Sequence, residues 1–125
     1  MTCRRAQPSH AFQLLSKLLT QSSAEDYFIV TQNEHGLLTK TGIPDDKIWE
    51  TNGNINFFQS EDGKIFPNDY YTYDPEDPTV TIPTSQGESP GAVRPNILLF
   101  NDSQWNSERS DAQESKFKAF MKQVK

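Results

Sequence analysis

Few residues of this chain have side chains suited to acid–base or metal chemistry. Its 125 residues include two histidines, His10 and His35, and one cysteine, Cys3. An imidazole can act as a general base near neutral pH, whereas a single thiol excludes an internal disulfide and a cysteine-built metal site within one chain. Two amides, Gln32 and Asn33, stand shortly before His35 at the end of an apolar run. Taken alone, this polar segment fits a surface turn that closes a strand.

The charged residues are spread along the chain and form no catalytic pattern. The net charge is −5, from 12 Lys and Arg against 17 Asp and Glu, and without a basic stripe nucleic acid is not an expected partner. Aspartates in turn-like segments are expected to serve turns and solvation rather than paired acid–base catalysis: Asp26, Asp45, Asp46, Asp62, Asp74 and Asp77. The C-terminal lysines are predicted to form the solvated face of a helix: Lys116, Lys118, Lys122 and Lys125.

Length and composition predict a single domain with a small core. The hydrophobic content of 34%, even with six Gly added, lies below the ~45–50% that is usual for globular chains. No run approaches the ~20 apolar residues of a membrane span, and the basic start, Met1 to Arg5, is not followed by the apolar run of a secretory signal. With the single cysteine, these features favour an intracellular protein, cytoplasmic or nuclear, that has no membrane partner.

Apolar periodicity predicts the elements that would position these side chains. An apolar stripe at helical spacing follows Ser9, a candidate N-cap, and predicts a first helix: Ala11, Leu14, Leu15, Leu18 and Leu19. Two apolar runs predict buried strands, Tyr27–Thr31 and Ile97–Phe100, and Lys47–Thr51 predicts a further short strand between them. A last helix is predicted from Ser110 to Lys125, with Ser110 and Gln113 at capping-box spacing and an apolar side: Ala112, Phe117, Phe120, Met121 and Val124. This order predicts an α/β fold with parallel strands.

The connections between these elements carry turn residues and one long loop. Gly42 is predicted to cap a short helical turn over Gly36–Lys40, and Asn52–Asn54 is predicted to form a tight turn. The segment from Ser60 to Val93 is rich in proline and predicts a long irregular loop, with a short hairpin around Val80–Ile82.

Three segments resemble, in this order and at about this spacing, those of the sirtuins, which are NAD-dependent protein deacylases. Residues 27–37 read YFIVTQNEHGL and resemble a strand that ends in TQNIDGL in the family. Residues 48–54 read IWETNGN and resemble the ELHGS or ELHGN motif that carries the catalytic His. Residues 93–102 read VRPNILLFND and resemble RPNVVFFGE. The resemblance covers most of residues 7–124, except 61–88.

This resemblance implies a fold and a set of site residues. The fold would be a partial Rossmann-like, sirtuin-type three-layer fragment with a short parallel sheet and a long irregular loop. Gln32 and Asn33 would lie beside the nicotinamide ribose of NAD, since amides both donate to and accept from hydroxyls. His35 replaces the family's Asp at the nicotinamide carboxamide, and Phe100 would lie near the acyl-lysine channel. Asn52 replaces the family's general base, His, with an amide that has no basic site of useful strength.

The same resemblance implies that no zinc is bound. The family binds zinc through two C-x-x-C pairs between the second and third segments, whereas Ser60 lies where the first cysteine is expected and residues 61–93 contain none. We interpret residues 60–93 as a decayed zinc-ribbon or loop region within a single partial domain, residues 1–125. The family's glycine-rich phosphate loop would precede residue 7 and the second half of its sheet would follow Lys125, so we expect NAD binding to be weak.

Three functional hypotheses follow. The first is a truncated, degenerate sirtuin-like domain, a pseudoenzyme that is inactive alone and retains contacts to acylated-lysine protein segments. The second is a non-catalytic module that binds an unknown protein partner through the 60–93 loop. The third is a deacylase completed by another chain, which supplies the phosphate loop and a base. Only the third requires tight NAD binding, so a ligand-induced rise in melting temperature separates it from the others.

Overall fold

The computed structural model describes residues 6–21, 27–68 and 93–124. Within them the helices and strands are α1 (His10–Gln21), β1 (Ile29–Thr31), β2 (Ile48–Glu50), β3 (Gly53–Ser60), β4 (Ile65–Pro67), β5 (Val93–Ile97) and α2 (Glu108–Gln123). Two short 3-10 helices, Thr39–Thr41 and Asp45–Lys47, lie between β1 and β2. No helix in this part of the chain is long and apolar enough to cross a membrane.

A short parallel sheet lies between α1 and α2, which gives three layers. Strand β1 pairs in parallel with β2, and Val30 lies opposite Trp49. Side chains alternate between the two faces of a strand. On one face, Ile48 belongs to the buried core with Tyr27, Leu38 and Ile43, against which Phe12, Leu19 and Ile29 pack. On the other face, the rings of Trp49 in β2 and of Phe28, just before β1, contact aromatic rings of α2. The predicted α/β fold with a short parallel sheet is confirmed.

Helix α1 forms where it was predicted but turns a different face toward the core. Its packed residues are Phe12, Ser16 and Leu19, which are spaced by one and two helical turns. The Ser16 hydroxyl donates to the Thr41 carbonyl at 2.8 Å, so the helix docks through a polar contact onto the 3-10 turn. The predicted stripe is largely on the outside, since Leu14 and Leu18 are 51% and 65% exposed.

The predicted helical turn before Gly42 is confirmed in type and shifted in position. It is the 3-10 helix Thr39–Thr41, and Gly42 ends it with a φ of 87° and an N–H that donates to the Thr39 carbonyl. Glycine adopts this left-handed backbone conformation at little cost in free energy because it has no Cβ. The turn delivers Ile43 to the core, where it is buried.

The remaining strands form an antiparallel sheet in the order β4-β3-β5. Two sequence-based expectations are wrong here. The third strand, predicted as Ile97–Phe100 in a parallel sheet, lies at Val93–Ile97 and runs antiparallel to β3. The tight turn predicted over Asn52–Asn54 is displaced to Thr51–Asn52, because β3 already begins at Gly53. Gly53 has a φ of 82°, and a Cβ there would lie 2.1 Å from the Asn96 carbonyl oxygen, so the close approach of β5 requires glycine.

Helix α2 begins before its predicted start and uses its polar residues differently. It starts at Glu108, so Ser110 and Gln113 lie inside the helix rather than at a cap. Both are buried against β2. The apolar side is confirmed at Phe117 and Phe120, whose rings contact Phe28 at centroid distances of 5.4 and 5.6 Å. The other predicted apolar positions, Ala112, Met121 and Val124, are exposed.

Of the predicted irregular loop, the structure describes residues 60–68, which form part of a β-hairpin, and Val93, which begins β5. Strands β3 and β4 form a hairpin in which Phe58 pairs with Phe66. Its turn is closed by the Gly63 N–H, which donates to the Ser60 carbonyl at 3.0 Å. Residues 69–92, including the predicted hairpin at Val80–Ile82, lie outside the described residues.

Candidate functional site

The carboxyl ends of β1 and β2 lie side by side and define the candidate site. In open parallel sheets, ligands bind outside the carboxyl ends of the strands. The Thr51 N–H donates to the Thr31 carbonyl at 3.0 Å, which holds the two ends together just beyond the paired residues. The Asn52 side-chain amide then reaches the Gln32 carbonyl at 3.4 Å. Parallel pairing therefore brings two of the predicted site residues, Gln32 and Asn52, into contact.

Gln32 and Asn33 present their side chains to solvent at this edge. Both are exposed. The Asn33 N–H donates to the Thr31 hydroxyl at 3.0 Å, a local bond that ends the strand and fixes the backbone direction. Exposed amides held on a fixed backbone can donate to and accept from the hydroxyl groups of a bound ribose.

His35 closes the turn that follows. Its Nδ1 atom accepts a hydrogen bond from the Leu37 N–H at 3.0 Å. This is the bond that an Asp or Asn side chain makes in an Asx turn, where it accepts from the backbone two residues on. The imidazole also stands edge-on to the Phe12 ring of α1, with centroids 5.5 Å apart. The described contacts of His35 are thus with the turn and α1, not with the other predicted site residues.

The loop after β5 reaches the same edge through the backbone. The Leu98 N–H donates to the Asn52 carbonyl at 2.9 Å, which places the start of the Leu98–Phe100 segment beside the candidate site. Phe100 itself is fully exposed, and the next residue, Asn101, has a φ of 56°. The structure therefore brings the loop of Phe100 to Asn52 and leaves the Phe100 ring in solvent.

Asp102 holds this loop in shape. Its carboxylate pairs with the Arg94 guanidinium and accepts from the backbone N–H groups of Leu99 and Gln104 at 3.4 and 3.1 Å. The hydrogen bond from Arg94, followed by those from the backbone, lowers the pKa of Asp102 below its ordinary value. The ion pair between Arg94 and Asp102 therefore fixes the backbone of the loop that carries Phe100.

A buried carboxylate that the sequence analysis did not single out lies directly behind the site. Glu50 is 2% exposed, and its Oε1 atom accepts from the Asn54 amide at 2.7 Å. Its Oε2 atom lies 2.7 Å from Arg109 Nη1, at ion-pair distance although outside hydrogen-bond geometry. The Arg109 guanidinium also stacks over the Phe57 ring at 4.1 Å. The signal for this pair was a glutamate within an apolar strand, which requires a charged partner when it is buried.

Side chains of α2 complete the outer edge of β2. The Gln113 amide oxygen accepts from the Glu50 N–H at 3.0 Å, and the Ser110 hydroxyl donates to the Glu50 carbonyl at 3.1 Å. Ser110 also accepts from Trp49 Nε1 at 3.0 Å. An edge strand needs partners for its outward-facing backbone groups. Here a helix supplies them where a further strand would otherwise pair.

Ser60, where the resemblance expects the first zinc cysteine, lies in a hydrogen-bonded turn. The Ser60 hydroxyl donates to the Asp62 carboxylate, and Lys64 Nζ lies 3.0 Å from Asp62. These contacts, Ser60 first, lower the pKa of Asp62 to about 2. Among the described residues no group of His, Cys, Asp and Glu side chains has a geometry that could hold a metal ion.

Comparison with known proteins gives matches among solved structures alone. No protein-family model matches the chain, and no curated protein does. The crystal structure of Sir2 in complex with the inhibitor EX-527, 2′-O-acetyl-ADP-ribose and a deacetylated p53 peptide is 24% identical, with a TM-score of 0.54 over 80% of this chain and 40% of that chain. A structure described by the words "The structural basis for sirtuin substrate affinity" is 20% identical, with a TM-score of 0.60 over 97% of this chain and 47% of that chain.

These matches establish the fold. The protein has a sirtuin-like, partial Rossmann-like α/β fold, as the resemblance of its three segments predicted. The chain spans less than half the length of each of the two solved structures. At this level of identity the likeness extends to the backbone arrangement and leaves activity, ligand and partner to be proposed.

Proposed function

We propose that this chain is a non-catalytic sirtuin-like domain that does not by itself carry out NAD-dependent lysine deacylation. The observation that carries the proposal is Asn52 at the carboxyl end of β2, where the resemblance expects the general base. Its amide contacts the Gln32 carbonyl at 3.4 Å and cannot accept a proton near neutral pH. Loss of a general base typically lowers a rate by ~10²–10⁴-fold.

Neither histidine supports a substitute base. His35 uses Nδ1 to accept from the Leu37 N–H, and His10 is exposed at the start of α1. A base must lie within hydrogen-bonding reach of the proton that it removes. In the described part of the chain no hydrogen bond or ring contact joins either imidazole to Asn52, Gln32 or Asn33.

Limited contact with NAD is part of this proposal. The exposed amides of Gln32 and Asn33 fit a ribose hydroxyl in donor and acceptor capacity. At the neighbouring position, His35 has one ring nitrogen already engaged, so it cannot offer the two acceptor oxygens of a carboxylate. We therefore propose weak NAD binding through Gln32 and Asn33.

The test is nicotinamide release from NAD in the presence of an acetyl-lysine peptide. We expect the purified chain to match the protein-free control. Asn52→His is the informative variant. If this change produced turnover, the missing imidazole would be what limits activity. If the variant also showed no turnover, the partial fold would be what limits it. Coupled nicotinamide release and deacetylation by the unmodified chain would refute the proposal.

A second function, binding of acyl-lysine segments without turnover, is favoured by the loop beside Asn52. Leu99 and Phe100 are 54% and 103% exposed on a backbone stapled by Asp102. Exposed apolar groups on a fixed loop are typical of protein contacts. One of the similar structures holds a deacetylated p53 peptide. Fluorescence anisotropy with a labelled acetyl-lysine peptide should show binding that Phe100→Ala weakens and Leu14→Ala, an exposed leucine on α1, leaves unchanged.

A further inference from the structure

The turn that follows β1 is closed by a hydrogen bond whose acceptor, an imidazole nitrogen, is lost when the ring is protonated. Leu37 donates its N–H to His35 Nδ1 at 3.0 Å. A ring nitrogen that accepts a hydrogen bond carries no proton, so the neutral ring must hold its hydrogen on Nε2. In the imidazolium form both ring nitrogens are donors, and Nδ1–H would face the Leu37 N–H. The bond and the doubly protonated ring are therefore incompatible.

The turn connects the core to the candidate site. Leu38, which follows the bonded N–H, is 4% exposed and belongs to the apolar core. Gly36, inside the turn, has a φ of 63°, and a Cβ there would lie 2.2 Å from the Asn56 amide nitrogen. The imidazole contacts Phe12 of α1 edge-on. A change in the conformation of this turn would therefore alter its contacts with α1 and β3 and the position of the exposed amides before it, Gln32 and Asn33.

From this geometry we infer that His35 is a pH-sensitive latch: its neutral form closes the turn after β1, and its protonated form opens it. Histidine is the side chain whose charge ordinarily changes between about pH 5 and 8. An Asp or Asn in an Asx turn makes the same bond without this sensitivity in that range. The latch is independent of the proposed function, because it acts on folding whether or not a ligand binds.

Within residues 6–21, 27–68 and 93–124, no charged side chain makes a hydrogen bond or ion pair with the imidazole. From α1 it meets the uncharged Phe12 ring, and neither His10 nor Lys17, the titratable residues of α1, makes a hydrogen bond or ion pair with it. From β3 the neighbours of the turn are the amides of Asn54 and Asn56, which do not titrate. The adjacent carboxylate is that of Glu34, whose carbonyl accepts from the Ile55 N–H at 2.9 Å.

The chain offers its own matched control, because it has only two histidines. His35→Asn keeps an acceptor for the Leu37 N–H and has no ring to protonate, whereas His10→Asn removes the other imidazole from an exposed position. The experiment measures the melting temperature of the full chain and both variants from pH 8 to pH 5. We expect the unmodified chain and His10→Asn to lose about 4 °C across this window, as for the loss of one hydrogen bond. His35→Asn should lose less.

Nuclear magnetic resonance gives a readout that does not depend on variants. Long-range proton–nitrogen spectra at pH 8 should show His35 protonated on Nε2 and not on Nδ1. The protection factor of the Leu37 amide against hydrogen exchange should then fall about fivefold on acidification to pH 5. A ring protonated on Nδ1 at pH 8, or a pH dependence of melting that persists in His35→Asn and disappears in His10→Asn, would overturn the latch.

Discussion

The two sheets of this protein are held together by different interactions. Around the parallel pair β1–β2, the four hydrophobic residues that are buried in the described chain form one cluster: Tyr27, Leu38, Ile43 and Ile48. The antiparallel sheet β4-β3-β5 instead buries polar side chains: Asn54, Gln59, Ser60 and Asn96. The first sheet is stabilised by removal of apolar surface from water, and the second by internal hydrogen bonds.

A single network of amides closes the second sheet. The Gln59 side-chain oxygen accepts from the Asn96 amide and from the Asn106 N–H, each at 3.0 Å, and the Gln59 amide donates to the Gln104 carbonyl at 2.8 Å. Asn96 donates in addition to the Asn106 carbonyl at 2.8 Å. The network ties the loop before α2 to β3 and β5. Buried amides whose donors and acceptors are satisfied can order a small sheet such as this one, whose described hydrophobic side chains are not fully buried.

The two regions depend on each other at one residue of β2. Glu50 belongs to the parallel sheet, yet it contacts Asn54 of the antiparallel sheet and Arg109 of α2. It is the point at which the apolar and the polar regions meet. Changes at Glu50 should therefore affect both regions, while changes within one region should distinguish them.

The largest loss of stability is expected from Glu50→Ala. Removing this carboxylate leaves the Arg109 guanidinium, 17% exposed, without its counter-charge, and loss of one partner of a buried ion pair costs ~4 kcal/mol. Glu61→Ala, at an exposed position, is the matched control and should change the free energy of unfolding by less than ~0.5 kcal/mol. Denaturant unfolding measures both, and equal effects would mean that the pair does not join the two regions.

Within the apolar region, Ile48→Ala should cost ~3 kcal/mol of unfolding free energy. Ile48 is 1% exposed, so the change leaves a cavity at the centre of the core. The control is Val30→Ala on the adjacent strand, where a side chain that is 46% exposed has less burial to lose. If the two variants unfolded at the same denaturant concentration, the apolar cluster would not be what stabilises the parallel sheet.

The polar region should respond less, with Asn96→Ala costing ~2 kcal/mol. The change removes two donated hydrogen bonds and leaves the buried acceptors on Gln59 and Asn106 with fewer partners. Asn33→Ala, at an exposed amide, serves as the control in the same denaturant titration. If Asn96→Ala lowered the free energy of unfolding by more than Ile48→Ala does, the amide network and not the apolar cluster would be the main source of stability.

The smallest effect is expected at the hairpin turn and depends on pH. The pKa of Asp62 is lowered from 3.8 to about 2, so its contribution is present above its unfolded value and is lost as the pH falls through the folded value. Hydrogen exchange at the Gly63 amide should show protection decreasing between about pH 4 and pH 2. Asp62→Asn should remove this dependence, and Glu61→Gln should retain it. An unchanged profile in Asp62→Asn would assign the acid sensitivity to other carboxylates, such as Asp102.

Much of the apolar region was predictable from the sequence, apart from one helix face. The run around Ile29 indicated a strand covered on both faces and the segment around Ile48 a short strand, and both strands form there. For α1 the leucine stripe was the stronger pattern, but the helix packs through Phe12 and Ser16 because a buried hydroxyl bonds the Thr41 carbonyl. A hydrogen bond between residues so far apart in the chain leaves no periodic pattern in the sequence from which the packed face of the helix could be predicted.

The polar region could not be predicted in the same way. Asparagine, glutamine and serine are typical of turns and caps, so Asn96 and Gln59 carried no core signal, and Ser110 with Gln113 matched a capping box. Their burial depends on partners far along the chain, such as the Glu50 backbone. At the candidate site, the contact between Gln32 and Asn52 followed from parallel pairing, whereas the bond from Leu98 to Asn52 required the antiparallel course of β5.

We propose that an amide at residue 52, beside the ends of the parallel strands, leaves this domain without deacylase chemistry. Single-turnover deacylation tests it most directly, with the chain in excess over an acetyl-lysine peptide, NAD at saturating concentration and the peptide mass as readout. Our account predicts that the peptide keeps its acetyl group throughout the incubation. Stoichiometric loss of the acetyl group, dependent on NAD, would contradict it.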